Sequence, residues 1–274
     1  MLLQSTSPSK FAHPQLAIVI PLKSKRVARN WDVTCQALRR TIGSLSNQSI
    51  DRFSAIVVGH EPPELPERRF WRFHSLEISI PELAAGGDYG RRNDFDRILD
   101  KNRKIARGVQ LLSSKTPSHW FYLDADDVLD SAFVETVLKI ESPGCIVDGG
   151  YQIDANNRRA IPNSNLSEIC GSTCVLTSDV MEFPASLEPD EITRIPWCRY
   201  PHSRMDEFFS HELGRPFQRL RQPLVGYVTG HGDNCSDEFR SGISAKFKNW
   251  IKPRLLGRHQ EQLLRERFGM ECSD

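Results

Sequence analysis

Residues 16–22, LAIVIPL, contain no polar side chain, and the run is β-branched at Ile18, Val19 and Ile20 before Pro21. A run this short and this apolar predicts a strand covered on both faces, because a half-exposed strand would alternate with polar residues. FSAIVVG (53–59) and HWFYL (119–123) predict two further strands of the same kind, and LEISI (76–80) another between them. Trp31, Cys35, Leu38, Ile42 and Leu45 recur at steps of four, three, four and three, which marks an amphipathic helix. Ile98, Ile105, Val109 and Leu112 line one face of a second helix, Phe133, Val134, Val137 and Leu138 indicate a third, and CIVDGG (145–150) closes the series as a strand. Strands alternating with helices build parallel βαβ units, so the first half is expected to be a doubly wound α/β sheet.

Beyond residue 150 the pattern is less regular. YQIDANNRRAIP (151–162) reads as a hairpin or polar loop, and ICGSTCVLTSD (169–179) as a strand leading into a short helix. SLEPDEITRIPWCRYPH has little periodicity, a helix is expected from about Ser203, and PLVGYV (223–228) is a late apolar strand. Residues 1–14 read as a loose lead-in. The expected division is 15–240 for the main domain, with a nucleotide-binding half at 15–130 and a second half at 131–240. A basic and aromatic tail is expected at 241–274.

Lys and Arg number 36 against 35 acids, a net charge of +1, so no broad basic field recruits nucleic acid. The seven cysteines include no CxxC pair, which argues against a zinc site or disulfide scaffold and for reduced thiols in the cytoplasm. MLLQSTSPSKFAHPQ is too polar for a signal peptide, and no apolar run approaches the length of a membrane span.

The chemistry concentrates in WFYLDADDVLD (120–130), where a buried strand runs straight into Asp124, Asp126, Asp127 and Asp130. In open α/β sheets, ligands bind beyond the carboxyl ends of the strands, and this turn is expected at that edge. Two readings of the acids stand. They can cap and charge the start of the next helix, or alternate carboxylates can hold a hard divalent cation and leave positions for phosphate oxygens.

FYLDADDVL after a hydrophobic strand, with LAIVIPL opening the chain and AIVVG closing the second strand, resembles glycosyltransferase family 2 and other GT-A enzymes. The likeness runs in order over roughly residues 16–237. It implies a GT-A, Rossmann-like, mostly parallel sheet with helices on both faces and a less regular acceptor-side C-terminal half. It also implies transfer of a sugar from a nucleotide-diphosphate-sugar donor to the hydroxyl of a carbohydrate or lipid-linked acceptor, with inversion, as in cell-surface polysaccharide or glycolipid synthesis.

Carried onto this sequence, the resemblance makes Asp124 and Asp126 ligands of Mn2+ or Mg2+, with Asp124 also toward the ribose. It makes His231 of YVTGHGDNCS a third ligand, with Asn234 and Asp237 behind it. Asp206 and Glu207 fill the place of the acidic pair that holds the catalytic base, although Ser203 and Asp206 equally have the spacing of a capping box. Pro21, Leu22 and Lys23 match the first donor loop, and Glu61 stands where the family has an Asp pair. Lys101, Lys104 and Arg107 stand where basic residues meet the diphosphate, or form a solvated helix face. Gly149, Gly150, Gly171 and Ser172 match glycine-bearing strands on the acceptor side, or mark tight packing. The tail ISAKFKNWIKPRLLGRHQEQLLRERFG could lie on an anionic membrane surface.

Two rivals remain. A nucleotidyltransferase shares the sheet and the acids, but PLKSKRVARN lacks the glycine-rich grip for a triphosphate. A GT-A-like domain without catalysis, binding a carbohydrate or a partner, would account for the altered second loop.

Overall fold

The computed structural model describes residues 15–65, 67–77, 91–230 and 258–270. Its centre is a seven-stranded sheet formed by β1 (Leu16–Pro21), β2 (Phe53–Gly59), β3 (Trp71–Ser75), β4 (His119–Tyr122), β6 (Gly144–Val147), β9 (Cys174–Thr177) and β10 (Gln218–Leu220). Across the sheet the order is β10-β6-β9-β4-β1-β2-β3. Pairings among β4, β1, β2 and β3 are parallel, as is β10 with β6; only β9 runs against its neighbours β4 and β6. This is the mixed α/β architecture with a mostly parallel sheet that the alternation of runs predicts.

The continuous run of β1 is explained by cover on both sides. Leu16, Ile18 and Ile20 face one core with Leu38, Ile42 and Leu45 of α1 (Trp31–Ser46). Ala17 and Val19 face the other with Leu99, Ile105, Ala106, Val109 and Leu112 of α2 (Arg91–Ser113). Gly108 lets α2 lie close on the sheet: a β-carbon there would come within 2.3 Å of Val19. Asn30 starts α1 by accepting from the N–H groups of Asp32 and Val33, a side-chain cap for otherwise orphaned donors. On α2 the face is rotated from the sequence expectation, since Ile98 is 53% exposed while the other three positions are buried.

The third strand also lies earlier than expected. It is WRFHS, paired from Ala55↔Trp71 to Gly59↔Ser75; of LEISI, Leu76 and Glu77 follow the strand and 78–80 fall outside the described residues. As an edge strand it keeps Trp71 buried and exposes Arg72, so it lacks the apolar run that marks its neighbours.

The second half holds a sheet of its own, in the order β12-β8-β7-β11-β5. Its strands are β5 (Val128–Leu129), β7 (Gly150–Asp154), β8 (Arg159–Asn163), β11 (Val225–Thr229) and β12 (Arg258–His259). YQIDANNRRAIP is indeed a hairpin, and CIVDGG splits between β6 and β7 across a bend. No helix directly follows β9; instead α4 (Pro189–Arg194) and α5 (Pro196–Arg199) occupy the stretch without periodicity. α3 is a short helix at Phe133–Val137.

Within the expected tail, the described segment 258–270 is docked on the body. α7 (Glu261–Phe268) buries Leu264 and Phe268, and Arg267 meets Asp130 at 2.5 Å. No helix among the described residues is long and apolar enough to cross a membrane.

Candidate active site at the carboxyl edge of the sheet

β4 ends at Tyr122, and the Leu123 N–H still donates to Val19 O at 3.0 Å before the chain turns. The four acids then divide into two kinds. Asp124 and Asp126 stay half-buried at the edge, whereas Asp127 and Asp130 are buried. The Asp127 N–H closes the turn onto Asp124 O at 3.2 Å. The Asp127 carboxylate accepts from Ser172 Oγ at 2.6 Å, Cys170 Sγ at 3.2 Å and the Val228 N–H at 3.3 Å. Burial, then the charges of Asp126 and Asp124, push its carboxyl well above the usual carboxylate range. Asp127 is therefore a strut beneath the turn. Asp130 has the same standing, held by Arg267, and its backbone oxygen accepts from Gln48 Nε2 at 2.8 Å.

The turn is fastened by three hydroxyls, two of them from α1. Thr41 Oγ1 of α1 donates to Ala125 O at 3.0 Å, and Ser44 Oγ accepts from the Leu129 N–H at 3.0 Å. Ser172 Oγ also accepts from the Asp124 N–H at 2.9 Å. Ser172 is thus fully buried under the acids and does not line an acceptor pocket as expected. Gly171 lies against Asp124: a β-carbon there would stand 2.5 Å from Asp124 Oδ2 and 3.5 Å from Lys101 Nζ. Gly149 and Gly150 are pressed against neighbouring backbone. A β-carbon on them would meet Arg221 O at 2.1 Å and Val225 O at 2.3 Å, so both serve close backbone packing.

Of Lys101, Lys104 and Arg107 on α2, Lys101 reaches the turn, with Nζ 2.5 Å from Asp124 Oδ1. Lys104 does not face a phosphate. It is 1% exposed and binds Asp100 Oδ2 at 2.5 Å, while His60 Nε2 stands 2.9 Å from the other Asp100 oxygen. His60 Nδ1 lies 3.1 Å from the Leu76 carbonyl, so the ring bridges Asp100 and that backbone oxygen. Arg107 turns to β3, donating to His74 Nε2 at 3.2 Å.

On the first loop Pro21 and Leu22 are buried, Leu22 in the core, so of that trio only Lys23 reaches the surface of the edge. Glu61 binds the loop ends together by accepting from the Lys25 N–H at 2.9 Å. Arg40 of α1, unforeseen from the sequence, lies within electrostatic reach of Asp126, and burial lowers its pKa. Its Nε and Nη2 are buried without hydrogen-bond partners among the described residues.

Two strands along, β6 delivers Asp148 to the same edge. Asp148 accepts from Ser167 Oγ at 2.5 Å and from Arg219 at 2.8 Å, and Arg219 extends its other nitrogen to Asp206 at 3.0 Å. These groups, with Glu168 and Arg221, line a cleft of about 170 Å³. Asp206, on the helical turn α6 (Met205–Glu207) that continues as a π-helix through Phe208–Glu212, faces the cleft. Glu207 instead pairs with Arg204, which holds its carboxyl below the usual range. The capping box does not form: residues 202–204 make a 3₁₀ turn, and Asp206 accepts from the adjacent Glu207 N–H at 3.0 Å. Asp148 and Arg219 could have been sought as an acid in DGGY and a base in QRLRQ, but neither segment carries a motif that ties them together.

His231, Asn234 and Asp237 lie outside the described residues. Among the described residues no group of three or more His, Cys, Asp or Glu is placed to hold a metal. The donors present, Asp124 and Asp126, fit a hard cation in kind, since Mg2+-type ions commonly take one or two carboxylates and fill the remaining positions with water and substrate phosphate.

No protein-family profile and no curated protein matches the chain. Solved structures do match. One is the crystal structure of a candidate nucleotide-diphospho-sugar transferase from Desulfovibrio desulfuricans G20, 10% identical, covering 92% of this chain and 98% of that one with a TM-score of 0.41. At that level the likeness is one of layout alone.

Proposed function

We propose that the chain is a GT-A-type glycosyltransferase that moves a sugar from a nucleotide-diphosphate sugar to an acceptor hydroxyl with inversion. The observation that carries this reading is the placement of two half-buried carboxylates, Asp124 and Asp126, at the carboxyl end of the central strand β4, on the same sheet edge as a polar cleft lined by Asp148, Asp206 and Arg219. β4 and β6, the strand that leads into Asp148 of that cleft, are two strand spacings apart, about 10 Å.

Asp124 and Asp126 would hold Mn2+ or Mg2+, whose chemistry is to withdraw charge from the departing diphosphate. Lys101 adds a positive charge on the same side. Lys23 and Glu61 border the space in which the nucleoside would lie. Asp206, oriented by Arg219, takes the acceptor's proton as the hydroxyl attacks the anomeric carbon; Arg219 is itself set by the buried Asp148.

Calorimetry with Mn2+ and a panel of UDP-, GDP- and CMP-sugars tests the reading. One donor should bind only when the metal is present, and Asp126→Ala should abolish that binding. A variant that binds and transfers like the wild type would remove Asp126 from the role.

A further inference from the structure

We propose that Lys101 is a resident counter-ion of Asp124 which a divalent cation must displace, and that its ammonium then passes to the donor's phosphates. This rests on the reading that the acidic turn binds a cation and a diphosphate. It adds a coupling that the reading does not contain: metal alone is opposed, and metal with diphosphate is favoured.

The geometry separates Lys101 from Lys104 and Arg107 on the same helix. Lys104 is locked in a buried pair with Asp100, and Arg107 is bound to His74. Lys101 is 44% exposed and meets a carboxylate that is 28% exposed, directly at the edge where ligands gather. An ion pair this open to water is held by only about twofold to fivefold in an equilibrium, so it exchanges readily.

The two partners are unequally mobile. Asp124 is held at its backbone by Ser172 and backed by the bare main chain of Gly171. Lys101 carries its charge on a four-carbon stem that can swing. When a stronger cation arrives, the carboxylate stays and the ammonium leaves.

A dication and an ammonium on one carboxylate repel each other, so Lys101 weakens metal binding in the absence of donor. A diphosphate reverses the sign, because its oxygens supply enough negative charge to accept both cations. Metal and diphosphate must then strengthen each other's binding by the same factor, as linkage requires. The Cβ position of Gly171, 3.5 Å from Lys101 Nζ, shows that a side chain there would crowd the pair.

Mn2+ alone, followed by UDP, GDP and CDP at saturating Mn2+, are the probes, read by calorimetry and by the paramagnetic signal of free Mn2+. Lys101→Met should bind Mn2+ alone about fivefold more tightly and the preferred nucleoside diphosphate roughly tenfold more weakly. Lys101→Arg should stay near wild type in both, and unchanged thermal melts would exclude a folding effect. Binding of Mn2+ to the wild type that Lys101→Met leaves unchanged or weakens overturns this inference alone. Absence of Mn2+ binding in wild type and variant alike, with and without nucleotide, overturns the metal reading together with it.

Discussion

The hydroxyl of Ser172 stands 2.6 Å from the carboxylate of Asp127, in the floor beneath the acidic turn. The same oxygen accepts from the Asp124 N–H at 2.9 Å, so one buried side chain fixes both a structural acid and a candidate ligand. Ser172→Ala leaves a buried carboxylate and a backbone N–H each short of a partner, and should cost about 2 kcal/mol in urea unfolding. Donor binding should fall with it, since Asp124 loses its anchor. A variant as stable as wild type would show that the floor is held by Cys170 and Val228 without Ser172.

The legible parts of this fold were those whose environment is uniform along the chain. β1 and β2 are apolar on both faces and read directly as buried strands, and α1 keeps one period from Trp31 to Leu45. β3 was missed because an edge strand alternates buried Trp71 with exposed Arg72, while LEISI beside it has the composition of a central strand. Lys104 reads from the sequence as one of a row of cations that meet a diphosphate or face solvent. Burial reverses this through Asp100, four residues back on the same helix, and that i,i+4 spacing was the available signal. The acidic turn was legible as a cluster, but which acids face outward was not. That division depends on Cys170, Ser172 and Val228, which are distant in sequence. The cleft was legible only at Asp206, since Asp148 and Arg219 come from different strands of the sheet.

Asp206 and Glu207 are neighbours with different surroundings, so their variants should separate. Asp206 faces the cleft and is oriented by Arg219, whereas Glu207 is engaged by Arg204. Asp206→Asn should lower kcat by about 10²–10⁴-fold, the range for loss of a general base, with donor affinity retained. Glu207→Gln should keep transfer within a few-fold of wild type. Steady-state kinetics with saturating donor decide between them, and the reverse ranking would move the base to Glu207.

Asp100 gives a pH dependence with a definite sign. Burial raises its carboxyl, but His60 and Lys104 outweigh that and hold it below the ordinary range. With the folded pKa depressed, the unfolded chain takes up the proton first as the pH falls. The contribution to stability is therefore complete above the unfolded-state value of about 3.9 and is lost as the pH drops through the folded one. The melting temperature of the wild type should fall below about pH 4, and an Asp100→Asn/Lys104→Met double variant should show a shallower fall. Lys104→Met alone should cost about 3 kcal/mol at pH 7, because it strips a partner from a mostly buried charge.

Gly171→Ala tests the edge without replacing a charged group. The added methyl would stand 2.5 Å from Asp124 Oδ2, a separation that requires the carboxylate to move. Asp124 is half-buried at the surface, so its side chain can swing aside at little cost to the fold, and the thermal melt should stay within a degree or two of wild type. The displaced carboxylate can no longer share an ion with Asp126 from its present position. Mn2+-dependent binding of the donor should weaken about tenfold, which corresponds to roughly 1.4 kcal/mol. Calorimetry on the folded variant separates the outcomes: unchanged donor affinity would mean that the present position of Asp124 is not the one that matters for binding.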